Sequence, residues 1–203
     1  ARVVMGIYNR YILPRVLHLA CSAKPIAKQR NKIVPLATGS VLEVGIGSGL
    51  NLPFYNTDTV TRVLGVEPAP DMIRRAEVAA LEVPFPVEFM PCQGESIPLD
   101  SGSVDTALLT YTLCTVQDPL AVLGEIRRIL VDGGELLFCE HGLAPSDTVR
   151  RWQNRMNTMW PTVCGGCQLN RDIPALIRQA GFVIKQLDTA YLPSMPAIAG
   201  YTY

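Results

Sequence analysis

Residues 41–55 read VLEVGIGSGLNLPFY, and the reading of this stretch decides the fold. Apolar and β-branched residues, with one acid at Glu43, make a run that suits a strand buried on both faces. Glycines then arrive at alternate positions, Gly45, Gly47 and Gly49. Bare backbone directly after a buried strand lets a ligand come close to the main chain. A dinucleotide fingerprint requires glycine or alanine at position 50, where Leu50 stands, and a Walker loop requires Lys followed by Ser or Thr. The next apolar run ends in Glu67, 22 residues beyond Gly45. An acid there can accept hydrogen bonds from both hydroxyls of a ribose. The glycines and Glu67 together describe a site for an adenosine-type ligand without a pyrophosphate. The plainer alternative is that Glu67 caps the helix after it.

Outward from this unit, short apolar runs alternate with helical patterns. Strands are predicted at 40–45, 62–67, 86–91, 104–110, 135–140, 182–188 and 197–203. The expected fold class is α/β: a Rossmann-like, doubly wound seven-stranded sheet, mostly parallel, with helices on both faces. A helix over 118–131 is signalled by Asp118 as cap, Pro119 in the first turn, and Leu120, Leu123, Ile126 and Leu130 at helical spacing. Gly133-Gly134 should stop it. A second helix over 172–180 should end at Ala180-Gly181. Only a Pro-rich loop separates the last two strands, so the last is expected to be antiparallel. Residues 1–38 form a helical N-terminal lid in this reading, and 141–171 a substrate-side insertion, within one domain spanning 1–203.

Hydrophobic residues at 48% suffice for a packed core. Lys+Arg and Asp+Glu balance at 18 each, so no net field draws in nucleic acid or an anionic membrane. Tyr11 to Ala23 is broken by Pro14, Arg15 and His18, so no membrane span is expected. Cys164-Gly-Gly-Cys167 lacks a second pair or a His pair nearby in sequence, which argues against a structural zinc. Free thiols in a reducing cytoplasm are the expectation.

VLEVGIGSG, LGVEPAPDMIRRA, GESIPLDSGSVDTALLTYTLCTV and EIRRILVDGGELLFCEHG together resemble the class I S-adenosylmethionine-dependent methyltransferases over residues 40–142. The resemblance implies S-adenosylmethionine as cofactor and a small-molecule acceptor. It implies that Gly45, Gly47 and Gly49 approach the methionine part of the cofactor, that Glu43 organises their loop, and that Glu67 holds the ribose hydroxyls. Pro68 and Met72 would lie near the adenine, with Gln93, Gly94 and Glu95 along its edge. The family usually has Asp where Gln93 stands. Thr110, Tyr111 and Leu113 would face the methyl donor. A narrower resemblance runs through LCTVQDPLAVLGEIRRILVDGGELLFCEHGLAP and WQNRMNTMWPTVCGGCQLNR. These stretches are similar to the microsomal alkyl-thiol S-methyltransferases and their bacterial relatives. Quinone and phospholipid methyltransferases share the same core and stay open as alternatives, as does a cofactor-binding partner protein without catalysis.

Methyl transfer from a sulfonium asks the protein mainly for proximity and orientation. A thiol acceptor needs only to ionise, whereas an oxygen or carbon acceptor more often needs a general base. His141, after the fifth strand, is the leading base or orienting residue, and Tyr111 is the second catalytic candidate; His18 reads better as structural. Tyr8, Tyr11, Cys114, Trp152 and Trp160 are expected to line an acceptor pocket, although core packing explains the aromatic residues nearly as well. No metal is expected.

Overall fold

Strand β1 (Gly39–Val44) is buried from Ser40 onward, as a central strand covered on both faces must be. A computed structural model describes residues 21–203; Tyr8, Tyr11 and His18, and most of the expected lid, lie outside the described residues. Helix α1 (Lys24–Ile33) leads through a 3₁₀ turn into β1. Strand β2 (Val60–Val66), helix α2 (Pro70–Ala80) and strand β3 (Val87–Met90) build out to one side. Strand β4 (Val104–Thr110), helix α3 (Pro119–Ile129) and strand β5 (Leu130–Cys139) build out to the other. The strand order is β3-β2-β1-β4-β5, and every pairing is parallel. The chain reverses its direction of growth between β1 and β4. A crevice therefore opens beyond their carboxyl ends, where such sheets bind ligands.

Alternation along the strands feeds two apolar layers. Leu42, Val44, Leu64, Val66, Ala107 and Leu109 pack with Val122, Leu123 and Ile126 of α3. Val41, Val63 and Leu108 face the other way, toward Val34, Tyr55 and Phe85. That is why these runs read as continuous apolar stretches rather than as polar–apolar alternation. Helix α3 starts as its sequence indicates, with Asp118 Oδ1 accepting from the backbone N–H groups of Leu120 and Ala121. It ends at Ile129, earlier than its predicted end at 131. Leu130 already pairs with Val104, and Glu135 pairs with Thr106. Residues 131–134 are looped out between these two pairings, with Gly133 at φ 82°.

Beyond β5 lie helices α4 (Asp147–Met156), α5 (Trp160–Val163) and α6 (Ile173–Gln179). Among the described residues, the expected seven-stranded sheet is not formed. The main sheet has five strands, and a separate antiparallel pair joins β6 (Ala190–Tyr191) to β7 (Tyr201–Thr202), which follows helix α7 (Ala197–Gly200). Residues 182–188 make no strand. Phe182 and Ile184 pack on the core, but Val183 is 86% exposed and everything from Lys185 to Ala190 is open to solvent. Two inward side chains bury too little to hold a ladder. The last strand is antiparallel as expected, to β6 and also to the residues just past β5. Glu140 and Tyr203 exchange backbone hydrogen bonds, and His141 bridges to Thr202. Among the described residues, no helix is long and apolar enough to cross a membrane.

Gln153 fastens the insertion to this framework. Its Oε1 accepts from Ala144 N–H at 3.0 Å, and its Nε2 donates to the carbonyls of Gly142 and Ile198 at 2.9 and 3.0 Å. At about 1 kcal/mol for each bond, with polar groups left unpaired on removal, Gln153→Leu should lower unfolding free energy by about 2–4 kcal/mol. Urea denaturation at constant m-value measures this, and a loss within experimental scatter would contradict the role.

Candidate active site

The glycine loop continues the β1–β2 ladder before turning across the crevice, since Gly45 and Ile46 both donate to the Val66 carbonyl. Gly45 has φ 76°, and a Cβ there would lie 2.3 Å from Thr112 Oγ1. Its bareness is demanded by the turn that follows β4. Gly47, at φ 57°, differs, because its Cβ direction is open apart from the Met72 methyl at 3.6 Å. Gly49 packs against Leu52 and against Ala76 and Ala79 of α2. Of the three, Gly47 is the one whose bareness leaves free space on the crevice side.

Glu67 joins this loop directly. Its Oε2 accepts from Gly47 N–H at 3.1 Å and its Oε1 from Ala69 N–H at 2.9 Å, at the entry to α2. The acid thus fixes the helix entry and the loop at once. A carboxylate accepts about four hydrogen bonds, so about two positions stay available to hydroxyl donors. Burial pushes its pKa up, and the two N–H groups oppose that shift. Pro68 is exposed beside it and Met72 half-buried. Gln93 is exposed, Gly94 is buried with its Cβ position against Val44, and Glu95 accepts from Asp118 N–H at the start of α3.

Behind the loop lies a buried polar network. Glu43 accepts from Asn51 Nδ2 at 2.8 Å and from the Tyr55 hydroxyl at 2.6 Å. Arg30 of α1 donates to Asn51 Oδ1 and to Thr110 Oγ1, and Asn51 also donates to Thr110 Oγ1. Glu43 is 1% exposed, so it organises the loop from behind. Arg30, Asn51 and Tyr55 escape sequence reasoning. Arg30 stands among other cations on a polar helix, and no spacing separates it from its neighbours.

The other rim is the end of β4 and β5. Tyr111 leaves β4 at φ 56°, uncommon for a bulky residue and typical of functional sites. Its ring lies 6.4 Å from that of His141, with the Arg30 guanidinium 5.7 Å from its centroid. Burial first, then Cys139, pushes the Tyr111 hydroxyl well above its ordinary pKa. The Glu140 carboxylate is fully buried and accepts from the backbone N–H groups of Thr112, Leu113 and Cys114 at 2.6, 3.0 and 3.2 Å. Arg171 donates to the Leu113 carbonyl, and the Leu113 side chain belongs to the core.

His141 Nε2 lies 3.0 Å from Cys167 Sγ, which also accepts from Trp160 Nε1 at 3.3 Å. Cys114 lies within this group. Trp152 and Trp160 line a groove of about 390 Å³ with Arg155, Met156, Met159 and Val163. The structure thus brings Tyr111, Cys114, His141 and Trp160 to one rim, with Glu67 and the glycines at the other. Trp152 stands further out, 55% exposed. Glu140, Cys167 and Arg171 lie in the stretches that carry the thiol-methyltransferase resemblance, but their contacts could not be read there, because their partners come from distant segments.

Residues 42–138 match the family described as a methyltransferase domain. The chain is 33% identical over 178 residues to thiol S-methyltransferase TMT1B of Homo sapiens, covering 81% of this chain and 71% of that protein. A structure of an S-adenosylmethionine-dependent methyltransferase from Thermotoga maritima shares the fold at 21% identity, with a TM-score of 0.67 over 99% of this chain and 96% of that one. The chain belongs to the class I S-adenosylmethionine-dependent methyltransferases, and its cofactor is S-adenosylmethionine. Among the relatives is also thiol S-methyltransferase TMT1A of Homo sapiens, 29% identical over 205 residues, covering 96% of this chain and 80% of that protein.

Burial, opposed by Tyr55, Arg30 and Asn51, pushes the Glu43 carboxyl up to about 7 from an ordinary 4.5. The folded chain therefore holds this proton more tightly than the unfolded chain. The stabilisation is complete below the unfolded value and is lost as pH rises through about 7. At about 1.4 kcal/mol per tenfold change in proton affinity, the full effect is about 3 kcal/mol. Glu43→Gln removes the titration. Relative to that variant, the wild type should lose stability between about pH 5 and about pH 8 in urea unfolding. Parallel pH profiles would refute this.

Proposed function

We propose that the chain transfers the methyl group of S-adenosylmethionine to a small-molecule thiol. The similarity to thiol S-methyltransferases over most of both chains is the observation that carries the acceptor class. The crevice fits the cofactor on two structural grounds. Gly47 leaves open space where any side chain would stand, and Glu67 has unused acceptor positions at the same rim. Gly45, Gly47 and Gly49 would flank its methionine part and Glu67 its ribose, with Glu43 holding the loop. Pro68, Met72 and the Gln93–Glu95 segment would border the adenine. Thr110, Tyr111 and Leu113 stand at the strand end that would meet the reacting group. S-adenosylmethionine supplies an electrophilic methyl carbon on a sulfonium sulfur.

The chain's own contribution is placement. The Glu140 carboxylate presents the 112–114 turn, and Tyr111 and His141 would orient the acceptor between that turn and the insertion. A thiol asks for no strong base, because thiolate forms near neutral pH. Holding both reactants in line can contribute about 7–11 kcal/mol. Cys114, Trp152 and Trp160 would border the acceptor, and residues 141–171 would form the substrate side of a single methyltransferase domain.

Glu67→Ala should remove two hydrogen bonds to the ribose, each worth about 1.5–3 kcal/mol when the acceptor is charged. Affinity for S-adenosylhomocysteine in calorimetry should fall at least roughly tenfold, with the fold retained by circular dichroism. Unchanged affinity would remove Glu67 from the site. Formation of S-adenosylhomocysteine should be seen with small alkyl thiols. Methylation of a phenol or quinol, with every thiol ignored, would overturn the acceptor class.

A further inference from the structure

Three residues from distant segments converge beside the crevice: Cys114 after β4, His141 after β5 and Cys167 between α5 and α6. Their ligand atoms, two thiol sulfurs and one imidazole nitrogen, all lie within 4.8 Å of one another. Around a tetrahedral zinc ion, with bonds of about 2.3 Å to sulfur and about 2.0–2.1 Å to nitrogen, such atoms lie about 3.5–3.8 Å apart. The cluster needs only small side-chain shifts to reach that spacing. Its backbone is already held from outside. Cys114 N–H donates to Glu140 and its carbonyl accepts from Gln168, His141 bridges to Thr202, and Cys167 N–H donates to the Cys164 carbonyl. Trp160 Nε1 donates to Cys167 Sγ and fixes the direction of that sulfur. The second ring nitrogen of His141, Nδ1, is buried, and no described group meets it with hydrogen-bonding geometry. The ring thus presents Nε2, not Nδ1, to the sulfurs, 3.0 Å from Cys167 Sγ.

We propose that Cys114, His141 and Cys167 form a site for a soft divalent cation, zinc in the first instance, with one coordination position left for the sulfur of the acceptor. Two thiolates and an imidazole select a soft or borderline ion over magnesium or calcium. Three protein ligands leave zinc open, as in catalytic rather than structural sites. Binding the ion expels the protons of Cys114 and Cys167 to solvent and leaves the site neutral. An acceptor thiol that takes the fourth position loses its own proton to solvent and stays a metal-bound thiolate. The cation half of this inference stands on the three side chains alone; the acceptor half rests on the thiol reading above. The C-x-x-C pair is split by the fold. Cys167 enters the cluster, and Cys164 stays outside it.

The test titrates the reduced, metal-free full chain with Co²⁺. One equivalent should produce a thiolate-to-cobalt charge-transfer band and the strong visible bands of a tetrahedral ion, both abolished by Zn²⁺. Cys114→Ser, Cys167→Ser and His141→Ala should each weaken cobalt binding at least roughly tenfold, since even removal of a neighbour of a ligand costs that much. Cys164→Ser should bind like the wild type. A small alkyl thiol, added without S-adenosylmethionine, should strengthen the charge-transfer band. A wild type that binds no cobalt overturns the proposal, whether or not thiols are methylated. Variants that bind cobalt normally overturn the ligand set. A cobalt spectrum indifferent to thiol overturns the open position. A thiol-sensitive spectrum in a chain that methylates no thiol sustains the site and refutes the function proposed above.

Discussion

A single carboxylate holds the two rims of the crevice in relation to each other. Glu140 is fully buried, and three successive backbone N–H groups, those of Thr112, Leu113 and Cys114, converge on it. An unpaired charge in that place would be expensive, so the turn after β4 has little freedom to leave. The turn in turn sets Thr112 against Gly45, where no side chain could stand. From Gly45 the loop runs to Gly47, whose N–H meets Glu67. The glycine-loop rim of the crevice is thus positioned through the same turn that carries Tyr111 and Cys114.

The two rims differ in chemical character. Around Glu67 the available groups are hard: carboxylate oxygens and backbone N–H groups, suited to hydroxyls. Around His141 they are soft: sulfur, imidazole and indole. A methyl donor that carries a ribose matches the first rim by its hydroxyls, and the thiol acceptor proposed above would match the second by its sulfur. The Arg30 network does not choose between them. It joins α1, the glycine loop and β4 behind both.

The sheet was legible because β1, β2 and β4 are buried on both faces and so read as unbroken apolar runs. The meeting of Glu67 with the glycine loop was legible because it depends on local spacing along one strand–loop–strand unit. What escaped depended on long-range convergence. Residues 182–188 carry strand-like residue types, yet only Phe182 and Ile184 find a core to face. Arg30 looks like any other cation on a polar helix until Asn51 and Thr110 meet it. Cys167 read as the partner of Cys164, because the residues it meets lie 53 and 26 residues away in the chain, at Cys114 and His141. Sequence spacing rules for metal ligands assume that ligands arrive in local pairs, and this cluster has none.

The antiparallel pairing at the end of β5 carries a consequence for handedness of presentation. Neighbouring residues in extended chain point to opposite sides. Glu140 therefore turns inward to the 112–114 turn while His141 turns outward to Cys167. Both are held in that parity by Tyr203 and Thr202. Were β5 to slip by one residue against β4, the imidazole would be driven into the nest of N–H donors and the anion set among the sulfurs. The register of β5 on β4, continued through 140–141 by the short strand at 201–202, thus decides which of two adjacent, chemically opposite side chains each rim receives.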